Sequence, residues 1–203
     1  MLQRQHPRLV LASASESRRA LLAAAGIAFD VRPADIDEAR IKREARSEGR
    51  TVEETALRLA DAKAAAVARA EPGAVVIGAD QILACAGSWF DKPADVAAAR
   101  QQLMALRGAS HILATAVVCH EEGRRAWHAL AAPRLVMRRF SEAFLDAYLA
   151  AEADAVTRSV GGYRLEGYGV QLFDAVEGDH SAILGLPLLP LLSFLRERGI
   201  LIG

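Results

Sequence analysis

The first twenty-five residues constrain the fold most. A short apolar run, Leu9-Val10-Leu11, meets a polar stretch, Ser13-Ala14-Ser15-Glu16-Ser17-Arg18-Arg19, and then Ala20-Leu21-Leu22-Ala23-Ala24, closed by Gly26. That order is strand, turn, helix. A helix start exposes unpaired backbone N–H groups and the positive end of the helix dipole. Serine hydroxyls and two arginines there suit a phosphate group. A serine at the same place also serves as a plain helix cap, with the arginines in solvent. The turn alone supports both readings.

The alternation continues. Leu9–Ala12 and Ile27–Val31 read as strands. The charged segment Arg32–Arg50 reads as a loop with helical pieces. Thr51-Val52-Glu53-Glu54 is a capping box that opens a helix running to about Ala70. Ala74–Ile77 reads as a strand ending at Gly78-Ala79-Asp80-Gln81, with a second strand over Ile82–Phe90. A helix with Val96, Ala99, Leu103 and Leu106 on one face stops at Gly108. His111–Cys119, Pro133–Phe140 and Val170–Val176 read as strands. Ser141 caps a helix bearing Phe144, Leu145, Tyr148 and Leu149. Gly161–Gly169 must be a shaped loop, and Pro187 opens the last helix. Mixed strands and helices throughout predict an α/β fold with a mixed, twisted sheet flanked by helices.

With 203 residues the chain is long enough for one domain, 1–203, with a real core. Its formal net charge is zero, which disfavours a bulk nucleic-acid or membrane-surface binder. Phosphate binding must then come from locally grouped cations. Cys85 and Cys119 lie far apart without metal-type spacing and read as buried free thiols of a reducing compartment. The polar stretch Met1–Arg8 lacks the apolar core of a secretory signal, and prolines interrupt the apolar stretch 182–195. These features predict a cytoplasmic protein without a membrane span.

Several groups could carry chemistry. Asp35-Ile36-Asp37-Glu38 gathers carboxylates that can hold a hard cation, or forms a solvated acidic turn balanced by Arg40, Lys42 and Arg43. Asp80 follows an apolar run, where functional groups of open α/β sheets collect. An aspartate there can bind a metal or activate water, or pair with turn amides. Lys63, Lys92 and Arg164 are scattered cations. Glu166 lies among glycines, where a carboxylate can accept hydrogen bonds from a base. Asp179-His180-Ser181 has triad residue types, but triad members converge from separate chain positions. His111, His120 and His128 lack helix spacing for a zinc pair, and no P-loop pattern occurs.

Taken in order, these pieces resemble the Maf family of nucleoside triphosphate pyrophosphatases, from about Leu9 to Gly199. The landmarks are Leu11-Ala-Ser13-Ala-Ser15-Glu-Ser17-Arg18-Arg-Ala-Leu-Leu22, Asp37-Glu38, Arg58-Leu-Ala-Asp-Ala-Lys63, Ile77-Gly-Ala-Asp80-Gln81, Asp91-Lys92-Pro93, His111 through Thr115, Glu166-Gly-Tyr-Gly-Val170, Val176-Glu-Gly178 and Gly185-Leu-Pro187. The resemblance implies a Maf/ITPase-like fold of two lobes with a central cleft. It also implies metal-dependent hydrolysis of a nucleoside triphosphate to the monophosphate and pyrophosphate, with Mg²⁺ or Mn²⁺ as cofactor, and a homodimer. Carried over, Asp80 matches the general base; Ser13, Arg18, Lys63 and Lys92 match phosphate-binding positions; Glu38 shares the metal with Asp80.

The resemblance also implies a substrate. Gln81 after the aspartate and Glu166 in the late glycine loop look like the 7-methyl-GTP type, since a carboxylate accepts both edge N–H groups of a guanine and suits a cationic methylated base. Ser17 stands where that type usually has tryptophan, which removes a stacking partner. The alternatives are a dTTP/UTP pyrophosphatase of the same family and a nucleotide-binding regulator of cell division with little turnover.

Overall fold

Apolar runs become strands where helices cover them, and the helices here start where the sequence supplies caps. The computed structural model describes residues 2–203, so Met1 of the polar N-terminal stretch lies outside the described residues. The strands are β1 (Arg8–Leu11), β2 (Asp30–Val31), β3 (Ala74–Cys85), β4 (Ser88–Phe90), β5 (Ser110–Glu121), β6 (Arg124–Ala131), β7 (Arg134–Met137) and β8 (Phe173–Glu177). The helices are α1 (Glu16–Ala24), α2 (Glu38–Ser47), α3 (Val52–Ala68), α4 (Val96–Leu106), α5 (Glu142–Glu152), α6 (His180–Ile183) and α7 (Leu188–Glu197). The strand order is β2-β1-β3-β5-β7-β8, with β4 on β3 and β6 on β5. β1 pairs in parallel with β2 and β3, while β5, β6, β7 and β8 pair antiparallel. The sheet is therefore mixed, as the alternation of elements predicts.

The chain divides into two compact units. One comprises residues 2–81, Thr115–Ala131 and His180–Gly203; the other comprises Ile82–Ala114 and Ala132–Asp179. In the first, Leu9 and Leu11 of β1, Val75 and Ile77 of β3, and Val117 and Cys119 of β5 pack with Leu22 of α1 and with Leu191 and Leu195 of α7. Trp127 of β6 stacks on Phe194 of α7 with ring centroids 5.0 Å apart, a favourable aromatic geometry. In the second, Leu103, Leu106, Leu113, Leu135, Phe140, Leu145 and Leu172 are buried. His111 Nε2 meets the Tyr163 hydroxyl at 2.7 Å there, and burial pushes the His111 pKa down to about 4. Cys85 and Cys119 are buried free thiols, and burial raises the pKa of both. Among the described residues no helix is long and apolar enough to cross a membrane.

The structure corrects several element boundaries. The stretch read as two strands around a Gly78–Gln81 turn is one strand, β3, and Asp80 sits inside it rather than beyond its end. The turn follows at Ala86-Gly87, both with positive φ, and leads into β4; such pairs suit tight hairpins. Gly78 has a different task. A Cβ on it would lie 2.2 Å from the Ala60 carbonyl oxygen and 2.8 Å from the Ala64 nitrogen. The missing side chain lets α3 press its backbone against β3. α2 is a helical piece of the kind expected within Arg32–Arg50, whereas β6 escapes the sequence pattern because its arginines and histidine hide its alternation. The strand expected over Ile27–Val31 forms only at Asp30–Val31. The one expected over Val170–Val176 begins at Phe173, after a 3-10 turn at Tyr168–Leu172.

Gly78→Ala is expected to destabilise the protein by at least about 2 kcal/mol, because backbone rather than a flexible side chain occupies the space. Denaturant unfolding of the two proteins measures it; equal midpoints would show that α3 and β3 separate at no cost.

Candidate active site

Each helix that carries a candidate residue begins at a defined cap. Ser15 caps α1, its Oγ accepting the Arg18 amide. Ser13 is buried, and its Oγ accepts from the Ser15 amide at 3.2 Å and from Arg18 Nη1 at 3.1 Å. Ser15 thus takes the capping role, while Ser13 is engaged with the Ser15 amide and Arg18. Arg18 is buried and donates from Nε to the Gly185 carbonyl oxygen at 2.7 Å. A guanidinium has five N–H donors, so these two bonds orient it without exhausting it. Burial pulls the Arg18 pKa down, and the negative charges of Asp80 and Glu38 oppose that pull. Arg19 is exposed and Ser17 half-buried.

The acidic segment separates by role. Asp37 caps α2, accepting the Arg40 amide at 2.8 Å, so it is a structural carboxylate. Glu38 is the first residue of that helix, and its Oε1 lies 2.8 Å from Lys63 Nζ. The Thr51–Glu54 capping box opens α3 as the sequence predicts. Three turns on, Lys63 donates to Asp80 Oδ1 at 2.5 Å. The small residues Ala60, Ala64 and Gly78 make this reach short. Lys63 and Asp80 are largely buried, with side chains 12% and 7% exposed, while Glu38 is 45% exposed. Burial works to raise the Glu38 pKa; the charge and hydrogen bond of Lys63, aided by Lys42 and Arg18, outweigh it and hold the carboxyl below the usual carboxylate range.

Two carboxylates from separate elements thus converge on one ammonium, within electrostatic range of a buried guanidinium. The donor set fits a hard divalent cation, since it is all oxygen. Among the described residues no group of three or more His, Cys, Asp or Glu side chains is placed to hold a metal ion. An ion held by Glu38 and Asp80 would complete its shell with phosphate oxygens and water, which is the habit of Mg²⁺.

Gln81 follows Asp80, and its side chain is engaged with the protein itself. Nε2 lies 2.8 Å from Thr115 Oγ1, 2.9 Å from the Ala182 carbonyl oxygen and 3.1 Å from that of Ile183. Gln81 therefore ties β3 to α6, just before the Gly185 carbonyl that holds Arg18. Sequence reasoning missed this brace, because two of its acceptors are backbone oxygens a hundred residues away and the third is the Thr115 hydroxyl on another strand. Ser181 Oγ accepts the Leu188 amide at 3.0 Å, which is a helix-start role rather than a nucleophile's. In the second unit Lys92 is exposed, in the turn between β4 and α4. Glu166 is exposed in the glycine-rich loop, and Arg164 pairs with the buried Glu152.

The comparisons with known proteins agree over nearly the full length. The family model described as Maf-like protein matches residues 8–198. A nucleoside triphosphate pyrophosphatase of Granulibacter bethesdensis is 53% identical over 191 residues, covering 94% of this chain and 97% of the relative. One of Paramagnetospirillum magneticum is 53% identical over 193 residues, 95% of this chain and all of the relative. One of Rhodospirillum rubrum is 47% identical over 197 residues, 97% of this chain and 98% of the relative.

Replacing Lys63 by methionine removes the charge that holds the Glu38 carboxyl down, so its titration midpoint is expected to move up. Carbon-13 NMR of the side-chain carboxyl follows it; an unmoved midpoint would mean that Lys63 does not govern this pair.

Proposed function

Because this chain belongs to the Maf family, we propose that it hydrolyses nucleoside triphosphates at the α-phosphorus, releasing a nucleoside monophosphate and pyrophosphate. The convergence of Glu38 and Asp80 on Lys63, with Arg18 nearby in the charge balance, carries this reading. A binding protein has no need of paired carboxylates directed at the same point as a buried ammonium. An enzyme that deprotonates water beside a polyphosphate does.

The assignment of roles follows the chemistry of each group. Asp80 orients the attacking water and accepts its proton. Glu38 and Asp80 would hold a divalent ion, Mg²⁺ or Mn²⁺, which when bound neutralises phosphate charge and acidifies water. Arg18, fixed by Ser13 and Gly185, and Lys63 set positive charge against the triphosphate and the leaving pyrophosphate. Lys92 is assigned to the phosphates on the family resemblance. Glu166 selects the base, accepting the ring N–H and amino group of a guanine. Its negative charge favours the cationic base of 7-methyl-GTP over UTP or dTTP.

Pyrophosphate release from 7-methyl-GTP, GTP, UTP and dTTP, with and without Mg²⁺, tests the reading. The expected result is metal-dependent release, fastest with 7-methyl-GTP. Asp80→Asn is expected to lower kcat by about 10²–10⁴-fold with an unchanged circular dichroism spectrum. Near-normal turnover in that variant removes Asp80 from the chemistry, and a pyrimidine preference removes the base assignment.

A further inference from the structure

The glycine-rich loop of the second unit is built more rigidly than a surface turn requires. Its anchor is Glu152, the last residue of α5, whose side chain is only 1% exposed. Arg164 Nε and Nη2 donate to Glu152 Oε2 at 3.0 and 2.8 Å, and the Tyr168 amide donates to Oε1 at 3.1 Å. One buried carboxylate thus grips both ends of the segment 164–168. The neck is closed by backbone: a Cβ on Gly169 would lie 2.3 Å from the Arg164 carbonyl oxygen. A Cβ on Gly167 would lie 2.8 Å from Glu152 Oε1. Within this clamped segment two side chains are exposed, Glu166 and Tyr168, the latter at 58%.

Tyr168 thus presents a large aromatic ring to water from a backbone fixed by Glu152, beside the exposed carboxylate of Glu166. We propose that Tyr168 is a specificity residue that offers its ring face to the nucleobase whose edge Glu166 reads, and that Glu152 is the positioning residue that holds both. The ligand is a purine nucleotide, whose broad π-face gains more from an aromatic platform than a pyrimidine's, with a methylated, cationic purine favoured further by attraction to the ring. This places a stacking group in a chain that carries serine at position 17. The inference rests on the pyrophosphatase reading.

The test compares KM and kcat for 7-methyl-GTP, GTP and UTP in Tyr168→Phe, Tyr168→Leu and Glu152→Gln. Tyr168→Leu is expected to raise KM for both purine nucleotides about tenfold, leaving kcat and the UTP constants within twofold. Tyr168→Phe keeps the ring and stays within twofold of the parent. Glu152→Gln keeps the shape but loosens the grip on Arg164, and shifts the purine-to-pyrimidine KM ratio in the same sense. A general loss of folded protein would lower apparent kcat for every nucleotide and leave that ratio unmoved. An unchanged ratio in Tyr168→Leu overturns the proposal. Should the parent release no pyrophosphate from any nucleotide, the catalytic reading fails instead. Binding of 7-methyl-GMP then judges the loop: quenching of the added indole in Tyr168→Trp supports it, and unquenched emission overturns it.

Discussion

The ammonium of Lys63 sits against Asp80 at 2.5 Å and against Glu38 at 2.8 Å. Two carboxylates brought together without it would repel, and burial would push one of them to hold its proton. With it, Glu38 stays below the usual carboxylate range, although burial works the other way. The arrangement sets one ammonium between two carboxylates, with Lys63 and Asp80 largely out of water and Glu38 partly exposed. Arg18 adds a second positive charge, itself buried and aligned by Ser13 Oγ and the Gly185 carbonyl. Lys63, Asp80 and Arg18 are each costly to bury alone, and their opposite charges compensate one another.

Packing makes the cluster compact. Lys63 reaches Asp80 because α3 lies against β3 where Gly78 offers no side chain and Ala60 and Ala64 offer small ones. Glu38 arrives from the start of α2, and exposed ion pairs join that helix to α3: Arg58 with Glu44 at 3.0 Å and with Glu48 at 3.1 Å. Such pairs are individually weak; Ile41 and Ala45 of α2 are buried as well. Gln81 and Thr115 secure the Ala182–Gly185 segment from the other side, and that segment supplies the acceptor for Arg18. The charges thus depend on a few close approaches between backbones.

Much of the fold is legible in the sequence because caps and periodicity are local. Ser15, Thr51 with Glu54, and Ser141 all cap as their spacing suggests. Glu38, Lys63, Asp80 and Arg18 stand out through the family resemblance, and the structure brings these four into one electrostatic group. What the sequence hides is tertiary. Gly78-Ala79-Asp80-Gln81 has the composition of a turn, but its small residues serve a close helix approach inside a continuous strand. Asp37 looks like a metal ligand beside Glu38, yet a helix start claims it. Glu152 is invisible as an anchor, since one acidic residue at the end of an alanine-rich helix looks solvated; only the folded loop shows what it holds.

The central claim is that Glu38, Asp80 and Lys63 act as one unit rather than as three independent contributors. A double-mutant cycle on kcat with Glu38→Gln and Asp80→Asn tests it most directly. The account predicts that each single variant loses at least about 100-fold and that the double variant falls at most severalfold below the weaker single one, since both changes disable the same step. Losses that multiply, or a Glu38→Gln enzyme that turns over normally, would contradict it.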